Sequence, residues 1–389
     1  MNILFYMNTV GLGGVRTVTE ILTQEFKNRG YYIIWLLLYR IYNDERDFPA
    51  EQEVHYLPER DLLANKNIDF YNKIVEEKKI DIVINQAALF EPVRFTDALR
   101  NENVHRISVL HSNPLLNYEG LFRDCMTLRD RSFIEKFKRI GRFFVYPKIK
   151  RQLLRSRVNH LKLLQSGGSY IVTLSPSYSN IVKKYIPEYQ KISSIYNPLV
   201  YDSVDIKEKE KIVLYVGRLD DKVKRISMLL RIWEKVARSH PDWKLFIIGD
   251  GKDRQKLAKD FIKLQNVEFK GYQNPTEYYE RASIICMTSL YEGFPMVLLE
   301  GMQHGCFPVV FDSFPAVNDI IKNDYNGVVI PNHNKRLYIE SLDLLMNNIE
   351  YRKTLSQNAI TSVDIFKQKT IVDQWETLFQ KLHSRKDIK

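Results

Sequence analysis

The sequence predicts an α/β protein built from two doubly wound halves, each a parallel sheet covered by helices. Three observations carry this reading. Short runs rich in Ile, Val, Leu and Phe recur without clean alternation, as in parallel strands buried on both faces. Amphipathic stretches lie between many of them, as crossover connections require. The chain has 389 residues, more than the roughly 250–300 at which a single core stops growing. With 44% hydrophobic, 12% aromatic and 27% charged residues, it has the composition of a folded protein rather than a disordered or fibrous one.

In the first half the predicted strands are Asn2–Met7, Tyr32–Leu38, Ile80–Asn85, Arg106–Leu110 and Tyr170–Leu174, with helical patterns at Val15–Arg29 and Asp69–Lys78. In the second half they are Lys211–Val216, Trp243–Ile248, Val267–Lys270, Ile284–Thr288, Phe307–Phe311 and Gly327–Ile330. Helical patterns there include Ile226–Ser239 and the neighbourhood of Tyr278–Arg281. The polar, charged stretch from Tyr201 to Glu210 precedes a fresh strand and reads as the break between halves. The expected domains are therefore 1–200 and 201–369, with a last helix, about Thr370–His383 in 370–389, returning to the first domain. Two such domains facing one another would place a central cleft at the carboxyl ends of their strands, where open α/β sheets bind ligands.

The longest apolar run, Tyr31 to Tyr39, is nine residues, under half the roughly 20 needed to span a bilayer. The N-terminus lacks a basic region and a small-residue cleavage site, so no secretion signal is expected. Cys125, Cys286 and Cys306 have no metal-ligand spacing, and a reduced cytoplasm fits them best. The formal net charge is +11, but Leu121–Gln165 alone holds thirteen basic residues against three acids, which is +10. Aromatic residues such as Phe122, Phe143, Phe144 and Tyr146 are interspersed with these cations. The plain account is a pair of surface helices with cations in water. So few acids favour instead an anionic membrane surface, at about 1 kcal/mol per cation. No recognised nucleic-acid module accompanies the segment, so no nucleic-acid partner is expected.

The sharpest chemical feature is Tyr291-Glu292-Gly293-Phe294-Pro295-Met296-Val297-Leu298-Leu299-Glu300. A strand leads into a Gly-Phe-Pro turn, and the residues after it read as the start of a helix. Unpaired amides around Phe294 to Val297 would seat a phosphate or sugar hydroxyls, although Pro295 itself has no N–H. Glu292 and Glu300 bracket that seat, and carboxylates accept hydrogen bonds from sugar hydroxyls. Arg218 directly follows a strand, in Arg218-Leu219-Asp220-Asp221-Lys222-Val223-Lys224-Arg225, where a cation can neutralise a diphosphate. Asp220 and Asp221 are read as serving the turn. His111 ends Arg106–Leu110 and points where it can bond a sugar hydroxyl or a carbonyl. Gly11-Leu12-Gly13-Gly14 opens the first helix, but Arg16 stands where a dinucleotide fingerprint needs its last glycine. A tight turn explains these glycines as well as a phosphate approach does. Ser175-Pro176-Ser177 and Tyr196-Asn197-Pro198 read as turn chemistry.

Glu292 and Glu300, with seven residues between them, resemble the E-x7-E signature of retaining glycosyltransferases of family 4, which have the GT-B fold. Val216-Gly217-Arg218-Leu219, Ile248-Gly249-Asp250-Gly251 and Glu300-Gly301-Met302-Gln303-His304-Gly305 match in the same order. The resemblance implies a GT-B protein of two Rossmann-like parallel-sheet domains, the first binding the acceptor and the second a nucleotide-sugar donor. It implies that Glu292 contacts the donor sugar and Glu300 the ribose hydroxyls. Amides from Phe294 through Pro295 and Met296 to Val297 would meet the sugar and diphosphate. Arg218 and Lys224 would neutralise the diphosphate, with Lys222 the alternative, since this stretch is one residue longer than usual. Gly13, Gly14, Gly217 and Gly251 would lie against the donor, and His111 beside the reacting sugar. Arg16 stands where relatives often carry an acid.

The implied reaction moves a hexosyl unit from a nucleoside diphosphate sugar to a hydroxyl of a glycan or lipid-linked acceptor, with retention, in bacterial surface polysaccharide synthesis. No Asp-x-Asp cluster is present where a metal-dependent fold would use one, so activity without metal or cofactor is expected. Three readings compete: a nicotinamide-dependent oxidoreductase, which the incomplete fingerprint disfavours; a non-catalytic nucleotide-sugar-binding or scaffolding subunit; and a nucleic-acid binder. The expected location is the cytoplasm, peripheral to the inner face of the membrane.

Overall fold

The computed structural model describes residues 1–9, 13–39, 52–115, 122, 133–201 and 203–384, with backbone alone at 133–140. Gly11, Leu12, Cys125, most of 116–132 and Asp202, which the sequence analysis discussed, lie outside the described residues. The chain divides into two compact units, Met1–Val200 with Gln368–Lys389, and Tyr201–Lys367.

The first unit runs β1 (Asn2–Met7), α1 (Gly14–Asn28), β2 (Tyr32–Leu37), β3 (Glu53–Tyr56), α2 (Asn65–Glu77), β4 (Ile82–Asn85), α3 (Phe90–Asp97), β5 (His105–Leu110), α4 (Phe133–Ser166), β6 (Tyr170–Thr173), α5 (Pro176–Tyr185) and β7 (Ile192–Ser194). Its seven strands order as β3-β2-β1-β4-β5-β6-β7, and all pairings are parallel. The apolar runs form the central strands because both faces are covered: Ile3, Leu4, Phe5 and Tyr6 are fully buried, as are Ile34, Trp35 and Leu36. The edge strands β3 and β7 escaped sequence analysis. Glu53–Tyr56 is half-buried and polar at alternate positions, and Ile192–Ser194 has one apolar residue, so neither presents an apolar run. Ser175 caps α5 by accepting from the Tyr178 amide, with Pro176 opening the helix.

From Phe133 on, the basic segment lies in one helix, α4, with Pro147 inside it; the pair of helices expected over Leu121–Gln165 falls partly outside the described residues. Pro147 cannot donate to the carbonyl four residues earlier, yet the helix continues through it. The later part docks: Leu161 and Leu164 are fully buried, whereas Phe143 and Phe144 are 54% and 76% exposed.

The second unit runs β8 (Glu210–Val216), α6 (Asp221–Lys224), α7 (Ile226–Val236), β9 (Lys244–Ile248), α8 (Arg254–Asp260), β10 (Val267–Gly271), α9 (Thr276–Arg281), β11 (Ala282–Met287), α10 (Met296–Gln303), β12 (Phe307–Asp312), α11 (Val317–Ile320), β13 (Val328–Pro331), α12 (Lys335–Asn347) and α13 (Ile349–Ser362). Its six strands order as β10-β9-β8-β11-β12-β13, again all parallel. Trp233 and Trp243 anchor its core beside Leu229, Leu245 and Leu342. The remaining helix, α14 (Gln368–Ser384), belongs to the first unit. Phe379 packs on the rings of Phe26 and Tyr31. Arg29 pairs with Asp373 at 2.6 Å and Glu376 at 2.5 Å, and the Tyr31 hydroxyl donates to Glu376. Among the described residues no helix is long and apolar enough to cross a membrane. Cys286 and Cys306 are buried free thiols.

Candidate functional site

The second unit builds its site where loops leave the carboxyl ends of β8, β9 and β11. Gly217 and Gly249 have φ of 152° and 133°, which L side chains rarely adopt. A Cβ at Gly249 would lie 2.0 Å from the Gly217 carbonyl oxygen, and one at Gly251 would lie 2.6 Å from that of Leu219. The two loops therefore touch backbone to backbone. The Leu219 amide donates to Asp250, and the Asp253 amide donates back to Leu219. This contact seats Arg218 at the end of β8 with its side chain exposed. Gly251 thus has a packing reason to be glycine, whatever it binds.

Of the acids of the next turn, Asp221 serves the backbone. Asp221 accepts from the Ser227 amide at 2.7 Å and from its hydroxyl at 2.8 Å, tying α6 to the start of α7. Asp220 pairs with Lys252 at 3.1 Å. Between α6 and α7, Arg225 adopts a left-handed φ of 51° and is only 2% exposed. Its guanidinium donates to the carbonyls of Thr288 and Ser289 and to Asn332. The Thr288 hydroxyl answers by donating to the carbonyls of Lys224 and Arg225, and the Leu290 amide donates to Val223. These bonds fasten the loop after β8 to the loop after β11. They bring Lys224 to Glu292, with Nζ 2.6 Å from Oε1 and side chains 20% and 12% exposed.

Helix α10 begins at Met296, directly after the Gly-Phe-Pro turn, and Pro295 is its N-cap. The Met296 amide turns back to the Phe294 carbonyl at 3.0 Å, and the Leu298 amide bonds Pro295. Of the proposed amide donors, Pro295 has none and Met296 is engaged within the turn. Val297 remains in the first turn, whose amides have no partner within the helix. Phe294 is buried against Phe366. Gly301 allows the helix to lie on β11, since a Cβ there would come within 2.9 Å of Ile285.

Glu300, on the same helix, receives a 2.8 Å hydrogen bond from the Tyr279 hydroxyl. Burial raises the Glu300 pKa above the usual carboxylate range, and the Tyr279 bond partly opposes this. Tyr279 is fully buried, and its ring lies 5.6 Å from that of His304. His304 bonds the Glu300 carbonyl through Nδ1. Tyr279 and Arg225 carry no signal in the sequence. Nothing marks Tyr279 off from its neighbour Tyr278, and Arg225 stands in a basic turn beside cations of the opposite fate.

In the first unit, Gly13 has φ of 151° and caps α1, and Gly14 is its first residue. A Cβ at either would meet nothing within 4 Å, so packing does not demand glycine at Gly14. Arg16 pairs with Glu20 at 2.7 Å along the helix. His111 leaves β5 half-buried, with Nε2 2.6 Å from the Gln86 side-chain oxygen at the end of β4. Burial pushes its imidazole down to about 4, so the ring is neutral at pH 7.

The chain is 30% identical over 229 residues to an uncharacterized glycosyltransferase of Haemophilus influenzae, covering 55% of this chain and 64% of that protein. It is 32% identical over 182 residues to the amylovoran biosynthesis glycosyltransferase AmsD of Erwinia amylovora, covering 46% and 50%. The match thus spans about half to two thirds of the length of these relatives. Among solved structures, an S. aureus TarM variant in complex with Fondaparinux, alpha-GlcNAc-glycerol and UDP superposes with a TM-score of 0.75. At 15% identity it covers 97% of this chain and 99% of that one, and this likeness shows the fold, GT-B. Residues 201–362, nearly the whole second unit, match the family described as glycosyl transferases group 1. That match covers less than half of the chain, and the likeness to TarM shows the fold.

Proposed function

We propose that this protein is a retaining, metal-independent glycosyltransferase of family 4. It moves a hexosyl unit from a nucleoside diphosphate sugar to a hydroxyl of a glycan or lipid-linked glycan, in bacterial surface polysaccharide synthesis. The observation that carries the proposal is the Lys224–Glu292 pair, 2.6 Å long, beside the open first turn of α10. The pair holds a cation and a carboxylate together where an anion and a sugar would meet. Arg218 and Lys224 stabilise the departing diphosphate, a charge that grows as the glycosyl bond breaks. Glu292 accepts from the transferring sugar. Glu300, oriented by Tyr279, accepts from the ribose. The departing phosphate takes the acceptor's proton on the face it leaves, which preserves the anomeric configuration. The name of AmsD supports the polysaccharide setting, and the UDP bound to TarM supports the donor class.

Screening a panel of nucleotide sugars for thermal stabilisation and hydrolysis tests this, since a ligand that binds only the folded state raises its stability. At least one donor is expected to stabilise wild type and to turn over. Absence of any such donor would overturn the proposal. An inverted anomeric product would remove retention, and EDTA inactivation reversed by manganese would remove metal independence.

The reading extends to the inner face of the cytoplasmic membrane. Phe144 and Pro147 line a broad recess of about 970 Å³ with Lys148, Arg151 and Arg155 of α4. Exposed aromatics beside cations suit an anionic bilayer. Co-sedimentation with liposomes should rise with anionic lipid and fall with salt; dependence on neither would exclude it.

A further inference from the structure

The first unit contains a recess of about 200 Å³ at the carboxyl ends of β4 and β5, closed on one side by α4. Its lining includes Gln86, His111, Arg157 and His160. His160 is 3% exposed, and its ring lies 4.8 Å from that of Phe90. The backbone of Ala88 bonds the ring, while Nε2 is buried with no hydrogen-bond partner among the described residues. The bonded nitrogen is therefore Nδ1, which donates to the Ala88 carbonyl. Burial holds the ring neutral, lowering its pKa to about 4. A neutral imidazole with its proton on Nδ1 offers Nε2 as an acceptor only. A buried acceptor left unmet is costly, so an unfilled Nε2 calls for an explanation. Arg157 lines the same recess, with no carboxylate paired to it among the described residues. A guanidinium fork selects planar or phosphate oxyanions.

We infer that this recess binds a polyol carrying an oxyanion, with Arg157 pairing the oxyanion and His160 Nε2 accepting a hydroxyl. Resting on the proposed glycosyl transfer, it is the acceptor subsite, and it makes the acceptor an anionic polyol rather than a neutral sugar. Phosphate and carboxylate share the chemistry that Arg157 reads.

Calorimetric titration of the full chain with sn-glycerol 3-phosphate, glycerate and glycerol tests it. At least one charged polyol should bind about tenfold or more tightly than glycerol, and which of the two binds identifies the oxyanion. Arg157→Gln should reduce that affinity to the level of glycerol. His160→Phe keeps a ring on Phe90 but no acceptor and should weaken binding about tenfold, while His160→Gln, which keeps an acceptor, should recover part of it. Affinities unchanged in Arg157→Gln and His160→Phe would overturn the inference, as would glycerol binding as tightly as either anion. UDP titrated into the same proteins separates the two readings. UDP binding with no polyol binding rejects the recess alone. Polyol binding that needs Arg157 in a protein that binds no nucleotide keeps the recess and rejects glycosyl transfer.

Discussion

Lys224 and Glu292 stand 2.6 Å apart although they are 68 positions apart in the chain. The buried Arg225 next in sequence secures the meeting, because its guanidinium holds the loop that leads to Glu292. In the proposed reaction, a diphosphate arriving at Lys224 would compete with Glu292 and free that carboxylate for the sugar. Glu292→Gln should therefore lower transfer about 100-fold or more while leaving the melting temperature nearly unchanged. Lys224→Gln should weaken UDP binding about tenfold or more. Initial rates and calorimetry on the two variants check both.

Arg225 is expected to matter for stability. Arg225→Met leaves the Thr288 and Ser289 carbonyls without their donor in a buried setting. Loss of about 3 kcal/mol is expected in urea unfolding, with transfer reduced because Lys224 moves.

Two glycines should behave oppositely. Gly249→Ala places a Cβ 2.0 Å from the Gly217 oxygen at a φ of 133° and should prevent folding or cost several kcal/mol, about 3 or more. Gly14→Ala meets no atom within 4 Å at the start of a helix and should leave stability unchanged or raised. If Gly14 lies against the donor, transfer by the folded Gly14→Ala protein falls. Unchanged transfer would mean that the glycine serves only the turn.

His160 gives stability a pH dependence of known sign. Its folded-state pKa is about 4 against an ordinary 6.5, so between these values the unfolded chain binds more protons. Stability should fall as pH drops from 6.5 towards 4, by at most about 3 kcal/mol from this residue. Thermal melts of His160→Gln across that window should be flatter than those of wild type.

Removing the Tyr279 hydroxyl isolates the second carboxylate. Tyr279→Phe deprives Glu300 of its donor and should raise its pKa further, because burial then acts unopposed. About 1–3 kcal/mol of stability should be lost. The KM for the donor should rise more than kcat falls, as initial-rate kinetics would show.

Much was legible in the chain alone. Every strand read from an apolar run is present, with ends shifted by at most two residues, because burial on both faces of a parallel sheet leaves an unbroken apolar signal. The strand-to-turn passages carrying Arg218 and Glu292 were visible because glycine and proline mark where strands end. Tertiary structure alone decided the rest. It paired Lys224 with Glu292, buried Arg225 among carbonyls and set Tyr279 on Glu300. It also joined α14 to the first unit through Arg29, and carried His160 from a basic helix into a recess beside His111. A local pattern records whether a residue faces apolar surroundings. Which distant atom it meets there depends on how the strands order and where their loops touch, and no spacing along the chain encodes that.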